Sequence, residues 1–431
     1  MEDNIKIISE ENCKKNDIFY FSKNNGKINK YMSDHFIILN DETKNKNAIF
    51  MDYSINKNKK QKIRNAGIDI IRIIGMYGII ITHLLYLYDK GAIVKYSKYS
   101  KNLRILHCFF FWHNNGFALL SGIVGYKSFK YSNLFYLWFD VTFYSVSINL
   151  YFKIINKPSY ISRDLSKEFF PIIYKKYWYF SAYFGMYLFL PAINAGISCL
   201  NKKDFCLMNI TIIFLFVFWR DIKNPYEDVF DMKGGLSLIW LISYYLIGAY
   251  IGKNRTIYSG TRKYIYCLIF LLIYIFSNYL FIFVHINEFN LTNESYKTKI
   301  VSFLKRILTE RFDSILKVVQ SISISLIFLQ INYNKYISKI ICFLGPLAFG
   351  IYLIHNNFLV KQNILKHSFE NEPKDISLNK VIILILFKAL KIFIFCIIID
   401  YFRHLLFILF KIRKIWGLGI GDWGLGIGDW G

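Results

Sequence analysis

The chain carries ten runs of mostly apolar residues, near 68–88, 105–126, 131–153, 177–199, 205–219, 236–252, 264–284, 314–332, 338–361 and 380–402. Runs of about 17–25 such residues span a hydrocarbon core as helices, because inside a bilayer every backbone polar group must be bonded within its own segment. The spacing therefore predicts an all-α polytopic membrane protein, a bundle of about ten transmembrane helices. Composition agrees: 54% of residues are hydrophobic and 19% aromatic, and mean hydropathy is +0.30, beyond the range of soluble domains.

A formal charge of +25 would elsewhere suggest nucleic acid. Here the Lys and Arg sit in short clusters between the apolar runs, as topology signals and headgroup contacts do, so the expected partner is the lipid bilayer and no nucleic acid. With the N-terminus inside, the cytoplasmic loops are short and basic ("YKSFKY", "NKKD", "GKNRTIYSGTRK", "NYNKYISK"), and the opposite loops carry most of the acid. This places both termini in the cytoplasm of a multi-pass protein of the plasma (inner) membrane. The seven cysteines show neither CxxC nor His/Cys ligand spacing, so they read as small hydrophobes and no metal is expected.

Three segments follow. Residues 1–64 form a polar Lys/Asn-rich cytoplasmic extension expected to be disordered, residues 65–410 the membrane domain, and residues 411–431 a low-complexity Gly/Trp tail repeating "WGLGIGD".

The first run holds two ionisable residues, Arg72 and His83, eleven positions apart. At about 100° per residue they return to within roughly 20° of one direction, some 16 Å apart along the axis. Asp69, three residues before Arg72, can partner the guanidinium. A buried arginine is expensive at membrane depth and should face a wet cavity or a ligand, or else snorkel to the interface. A lone histidine in a span is either part of a site or an interhelical hydrogen bonder. Their shared face favours the site.

Other polar groups stand in apolar surroundings. "FFFWHNNGFALLSGIVGY" places Asn115 where an amide needs partners, which a substrate cavity would supply, and Ser121 where helix packing is the alternative. "YWYFSAYFGMYLFLPAIN" brings Trp178 and Tyr179, an interfacial aromatic belt or a sugar-stacking mouth. "GPLAFGIYLIH" ends on His355, at an interface or in the site.

The stretches "GIDIIRIIGMYGIIITH", "NNGFALLSGIVGYKS", "KYWYFSAYFGMYLFLPAIN" and "GPLAFGIYLIH", in that order from about residue 65 to 360, resemble acyltransferase family 3, integral membrane enzymes that O-acylate surface polysaccharides. The first is the most specific, since that family carries an arginine and a histidine separated by ten residues in its first span. The resemblance implies transfer of an acyl group, usually acetyl, from acetyl-coenzyme A as co-substrate to a sugar or polysaccharide acceptor, with no permanently bound cofactor. His83 takes the place of the family's essential histidine and Arg72 that of its arginine. Where many members show an arginine cluster before the third span, this chain has "YKSFKYSNLFYLWF", and Lys127 and Lys130 are the nearest substitutes for holding the donor's phosphates.

A sugar hydroxyl is a poor nucleophile, and a histidine near neutral pKa is an efficient general base. The expectation is that His83 takes the proton, Asn115 or a backbone donor stabilises the oxyanion, and Arg72 holds the coenzyme, with Asn115, Ser121, Trp178, Tyr179 and His355 lining the acceptor side. A transient acyl-His83 is a variant of this scheme. A transporter or flippase of glycan precursors, with Arg72 and His83 on the path, is the competing class.

Overall fold

The computed structural model describes residues 19–24, 27–32 and 65–412, with breaks at 88–89, 128, 156–165, 220–221, 223–227, 229, 257, 286–302, 306–307 and 411. The Gly/Trp tail after residue 412 and most of the 1–64 extension lie outside the described residues. Two units separate by their contacts, residues 1–60 and 61–431.

In the first unit, β1 (Phe19–Asn24) pairs antiparallel with β2 (Lys27–Met32), with Phe19 opposite Met32 and Asn24 opposite Lys27. The sequence between the strands is Asn25-Gly26, the pair most favoured in two-residue hairpin loops.

The described residues of the second unit are helical. The principal helices are α1 (Ala66–Tyr86), α2 (Ser100–Phe110), α3 (His113–Gly125), α4 (Tyr131–Ile154), α5 (Trp178–Cys199), α6 (Lys202–Ile213), α7 (Leu238–Asn254), α8 (Gly260–His285), α9 (Ile315–Gln330), α10 (Lys335–Leu344), α11 (Ala348–His355), α12 (Phe358–Asn363) and α13 (Leu378–Leu409). Helix thus occupies each of the ten apolar runs. Among the described residues five helical segments are long and apolar enough to cross a membrane: Ala66–Tyr86, Trp178–Cys199, Gly260–Val284, Lys335–His355 and Leu378–Leu409.

Two runs are not the single helices that hydropathy predicts. The second divides at Phe111–Trp112, where the Phe111 backbone leaves helical geometry; a Cβ at Gly116 would collide with the Trp112 ring, so the missing side chain is what lets the indole fold over the new helix. The ninth is stepped by the turn Gly345–Leu347 and stops at His355. Pro346 at the start of that turn lacks the N–H an uninterrupted helix needs, and Lys361 falls on the separate α12.

Helix α1 starts where the Asn65 side chain accepts from Gly67 N at 2.8 Å, with Asp69 in its first turn, both favourable at a helix N-terminus. It is the central helix, packed against α2, α3, α9, α10, α11 and α13. Its most apolar stretch is 67% buried, against 22% for those of α8 and α13. The outer helices turn Leu268, Leu272 and Phe276, and Phe387, Phe395 and Phe402, outward, as lipid-facing surfaces do. Helix α7 crosses α3 most closely: a Cβ at Gly122 would strike the Tyr245 carbonyl, and one at Gly248 the Leu119 carbonyl. This small-residue contact is how helices approach when lipid removes the hydrophobic drive between them.

Candidate active site

The C-terminal part of α1 and helix α12 line one pocket. Thr82, His83, Tyr86 and Leu87 line it from α1 and the residue that caps it, and Lys361 from α12; its volume is about 160 Å³. Behind it the His83 and His355 rings lie 5.3 Å apart, centroid to centroid. Tyr352 reaches His355 from one turn earlier in α11, with ring centroids 6.4 Å apart, and Tyr179 of α5 stands 6.4 Å from Tyr352. Helices α1 and α11 thus bring two imidazoles together, and α5 reaches them through Tyr352.

The hydrogen bonding around these rings is incomplete in an informative way. His355 Nδ1 lies 2.6 Å from the Ile351 carbonyl. A carbonyl only accepts, so Nδ1 carries the proton and Nε2 presents a lone pair. That Nε2 is buried and has no hydrogen-bond partner among the described residues; the same holds for His83 Nδ1, Thr82 Oγ1 and the Tyr179 hydroxyl. Burying unpartnered polar atoms costs free energy, and a cluster of them is expected where a ligand or water completes the network. His113 lies beside Gly75, between Arg72 and His83 along α1, and its Nε2 is likewise buried without a partner among the described residues.

The segment bearing His355 is held at two points. A Cβ at Gly345 would collide with the Asp69 carboxylate of α1, and one at Gly350 with the Asp400 carboxylate of α13. Each acid is pinned by an arginine of its own helix, Asp69 by Arg72 at 2.8 Å and Asp400 by Arg403 at 2.7 Å. Arg403 also bonds Asp140 of α4 at 2.7 Å, and the Tyr144 hydroxyl donates to Asp400 at 2.6 Å. All of these side chains are buried.

The sequence-derived residues divide into two groups. His83, His355 and, through Tyr352, Tyr179 come together; Trp178 packs on the edge of Tyr179 at 5.4 Å. Arg72 shares α1 with His83 but does not line the His83 pocket; it is buried and ion-paired to Asp69, the partner its spacing predicts. Asn115 finds its partners in protein: its Nδ2 donates to the Phe312 carbonyl at 2.6 Å, and its Oδ1 accepts from Trp240 Nε1 at 3.0 Å. Ser121 bonds back to the Phe117 carbonyl at 3.0 Å, beside the α3–α7 crossing. Lys127 lies past the other end of α3, with its ammonium 5.4 Å from the Tyr126 ring, and Lys130 caps α4, its carbonyl accepting from the Tyr187 hydroxyl.

Asn115→Leu should therefore act on stability. It would leave the Phe312 carbonyl and the Trp240 indole N–H buried without partners, a loss of about 1–3 kcal/mol. Thermal unfolding of the detergent-solubilised protein measures it, and an unchanged midpoint would show that neither bond contributes.

A family described as an acyltransferase domain matches residues 65–401. The chain belongs to that family. Together with the apolar helices, membership makes it a membrane protein and a transferase of acyl groups. No curated protein and no solved structure matches the chain.

Reading of the sequence missed Tyr352, Lys361, Thr82 and the Asp140–Asp400–Arg403 cluster. Tyr352 had a signal, since it stands three residues before His355 and so on a neighbouring face of the same helix. Asp400 and Arg403 share that spacing at the end of the last apolar run, as Asp69 and Arg72 do in the first. Lys361 carried none, because hydropathy places it at the end of a span and not on a separate helix.

Proposed function

We propose that the protein moves an acyl group, acetyl in the first instance, from acyl-coenzyme A to a hydroxyl of a cell-surface polysaccharide or its lipid-linked precursor. The observation that carries this reading is the pocket at His83, backed by His355 and rimmed by buried polar atoms that lack partners among the described residues, in a chain of an acyltransferase family.

The acceptor hydroxyl occupies the pocket and gives its proton to His83 as its oxygen attacks the thioester carbonyl. The hydroxyl oxygen–carbonyl bond forms, the thioester C–S bond breaks, and the proton on His83 passes to the departing thiolate. His355, whose Nε2 is an acceptor, orients the neighbouring imidazole or the incoming hydroxyl. Thr82 Oγ1, in the same pocket, takes the oxyanion-stabilising place that sequence reasoning gave to Asn115, since the Asn115 amide is already engaged. Arg72 and the basic residues Lys127 and Lys130 belong to the donor side, which in this reading is cytoplasmic, with ten crossings and both termini on the cytoplasmic side of the plasma membrane.

Membranes carrying the protein, supplied with acetyl-coenzyme A, should release coenzyme A in an acceptor-dependent manner when surface glycan is added. Release no faster than in membranes lacking the protein, across acetyl and succinyl donors, would refute the assignment.

A further inference from the structure

Lys361 points to the chemistry of the acceptor. It lines the same pocket as His83, and among the described residues its ammonium has no ion-pair or hydrogen-bond partner. Its charge reaches both His83 and His355. The other pocket residues, Thr82, His83, Tyr86 and Leu87, include no carboxylate.

Glu310 acts electrostatically on Tyr86, another residue of the lining, but among the described residues no ion pair joins it to Lys361. The segment from α12 to α13 contains Glu370, Glu372 and Asp375, and each is already paired. Glu370 takes Lys90 and His367, Glu372 takes Lys388 at 2.6 Å, and Asp375 takes Lys98 at 3.6 Å. Lys90 and His367 hold the Glu370 carboxyl down at about 2, so it stays ionised with its partners. Burial lowers the Lys361 ammonium to about 8, which leaves it mainly charged at neutral pH. An unpaired cation in a partly buried pocket, beside a reactive imidazole, is a subsite for an anion.

The pocket's size limits what the anion belongs to. At about 160 Å³ it is below the roughly 300–1,000 Å³ usual for drug-sized ligands, too small for the nucleotide of coenzyme A but able to take the edge of one sugar. We propose that the acceptor is an acidic sugar residue, bearing a carboxylate or phosphate next to the hydroxyl that is acylated, and that Lys361 recognises that group. This rests on the reading of the pocket as the acceptor site.

The test uses the full-length protein in lipid nanodiscs and three probes: methyl glucuronide, its uncharged amide, and methyl glucoside 6-phosphate. Binding is measured calorimetrically without donor, and acyl transfer as kcat/KM with acetyl-coenzyme A. One of the two anionic probes should bind and react about 10–100-fold better than the amide, and which one does so separates carboxylate from phosphate. In Lys361→Gln that ratio should fall close to one, and Lys361→Arg should restore most of it. A ratio near one in the wild type, a ratio unchanged in Lys361→Gln, or an equal loss on charged and neutral probes would each overturn the proposal. Because binding is read without donor, absence of acyl transfer alone would refute the proposed reaction while leaving the charge preference measurable.

Discussion

Replacing His83 with alanine is expected to lower acyl transfer by about 10²–10⁴-fold, the range a positioned general base supplies, with little loss of folded protein. The ring stands at a pocket wall and makes no hydrogen bond among the described residues, so its removal enlarges an existing cavity and orphans no partner. Its neighbour His355 is fully buried, with Nδ1 tied to the Ile351 carbonyl, so His355→Gln should lower transfer while costing some stability as well. If the two imidazoles act as one unit, the double variant should be scarcely worse than His83→Ala alone, since groups that share one step are not additive. The measurement is single-turnover release of coenzyme A at saturating donor, with folded protein quantified by size exclusion. Undiminished turnover in His83→Ala would remove the base assignment. Strict multiplication of the two single losses would instead separate the roles of the two rings.

Arg403→Leu should be the most damaging substitution to the fold. Arg403 lies among Asp140, Asp400, Tyr136 and Tyr144, and it bonds both carboxylates within 2.7–3.2 Å. Its loss leaves two carboxylates facing each other in a buried, membrane-embedded setting, and breaking a buried pair in this way costs about 3–5 kcal/mol. Asp140→Asn, which keeps the Asp400 pair, should cost less. The effect should also reach the pocket, because Asp400 is the surface against which Gly350 seats α11, and His355 closes that helix five residues on. Thermal unfolding in detergent and the His83-dependent turnover should therefore fall together in Arg403→Leu. A variant with a wild-type unfolding midpoint would show that the cluster is not the anchor of α11.

How much of this was legible beforehand differs by residue. Asp69 and Arg72 are three apart on one helix, so their pairing follows from the helical repeat alone and is found at 2.8 Å. His83 was singled out by its direction relative to Arg72, and His355 by its place at a helix end; the two rings are found 5.3 Å apart. Asn115 was rightly judged to need partners, but a sequence cannot tell whether those are a ligand or, as here, the Trp240 indole and the Phe312 carbonyl, more than a hundred residues away. The breaks at Phe111–Trp112 and Gly345–Leu347 were invisible to hydropathy, since a turned segment can be as apolar as a straight one.

By itself, then, the sequence determined that the chain is helical and membrane-embedded, where the ionisable residues of α1 fall, and that Asp69 answers Arg72, because these depend on local periodicity and on the absence of water to satisfy a backbone in lipid. Only the tertiary structure decided that His83 meets His355 and Lys361 and leaves Arg72 to another part of α1. That choice is made by long-range packing: glycines at 345 and 350 let α11 settle against two buried carboxylates, and no local pattern encodes which acid each glycine will find.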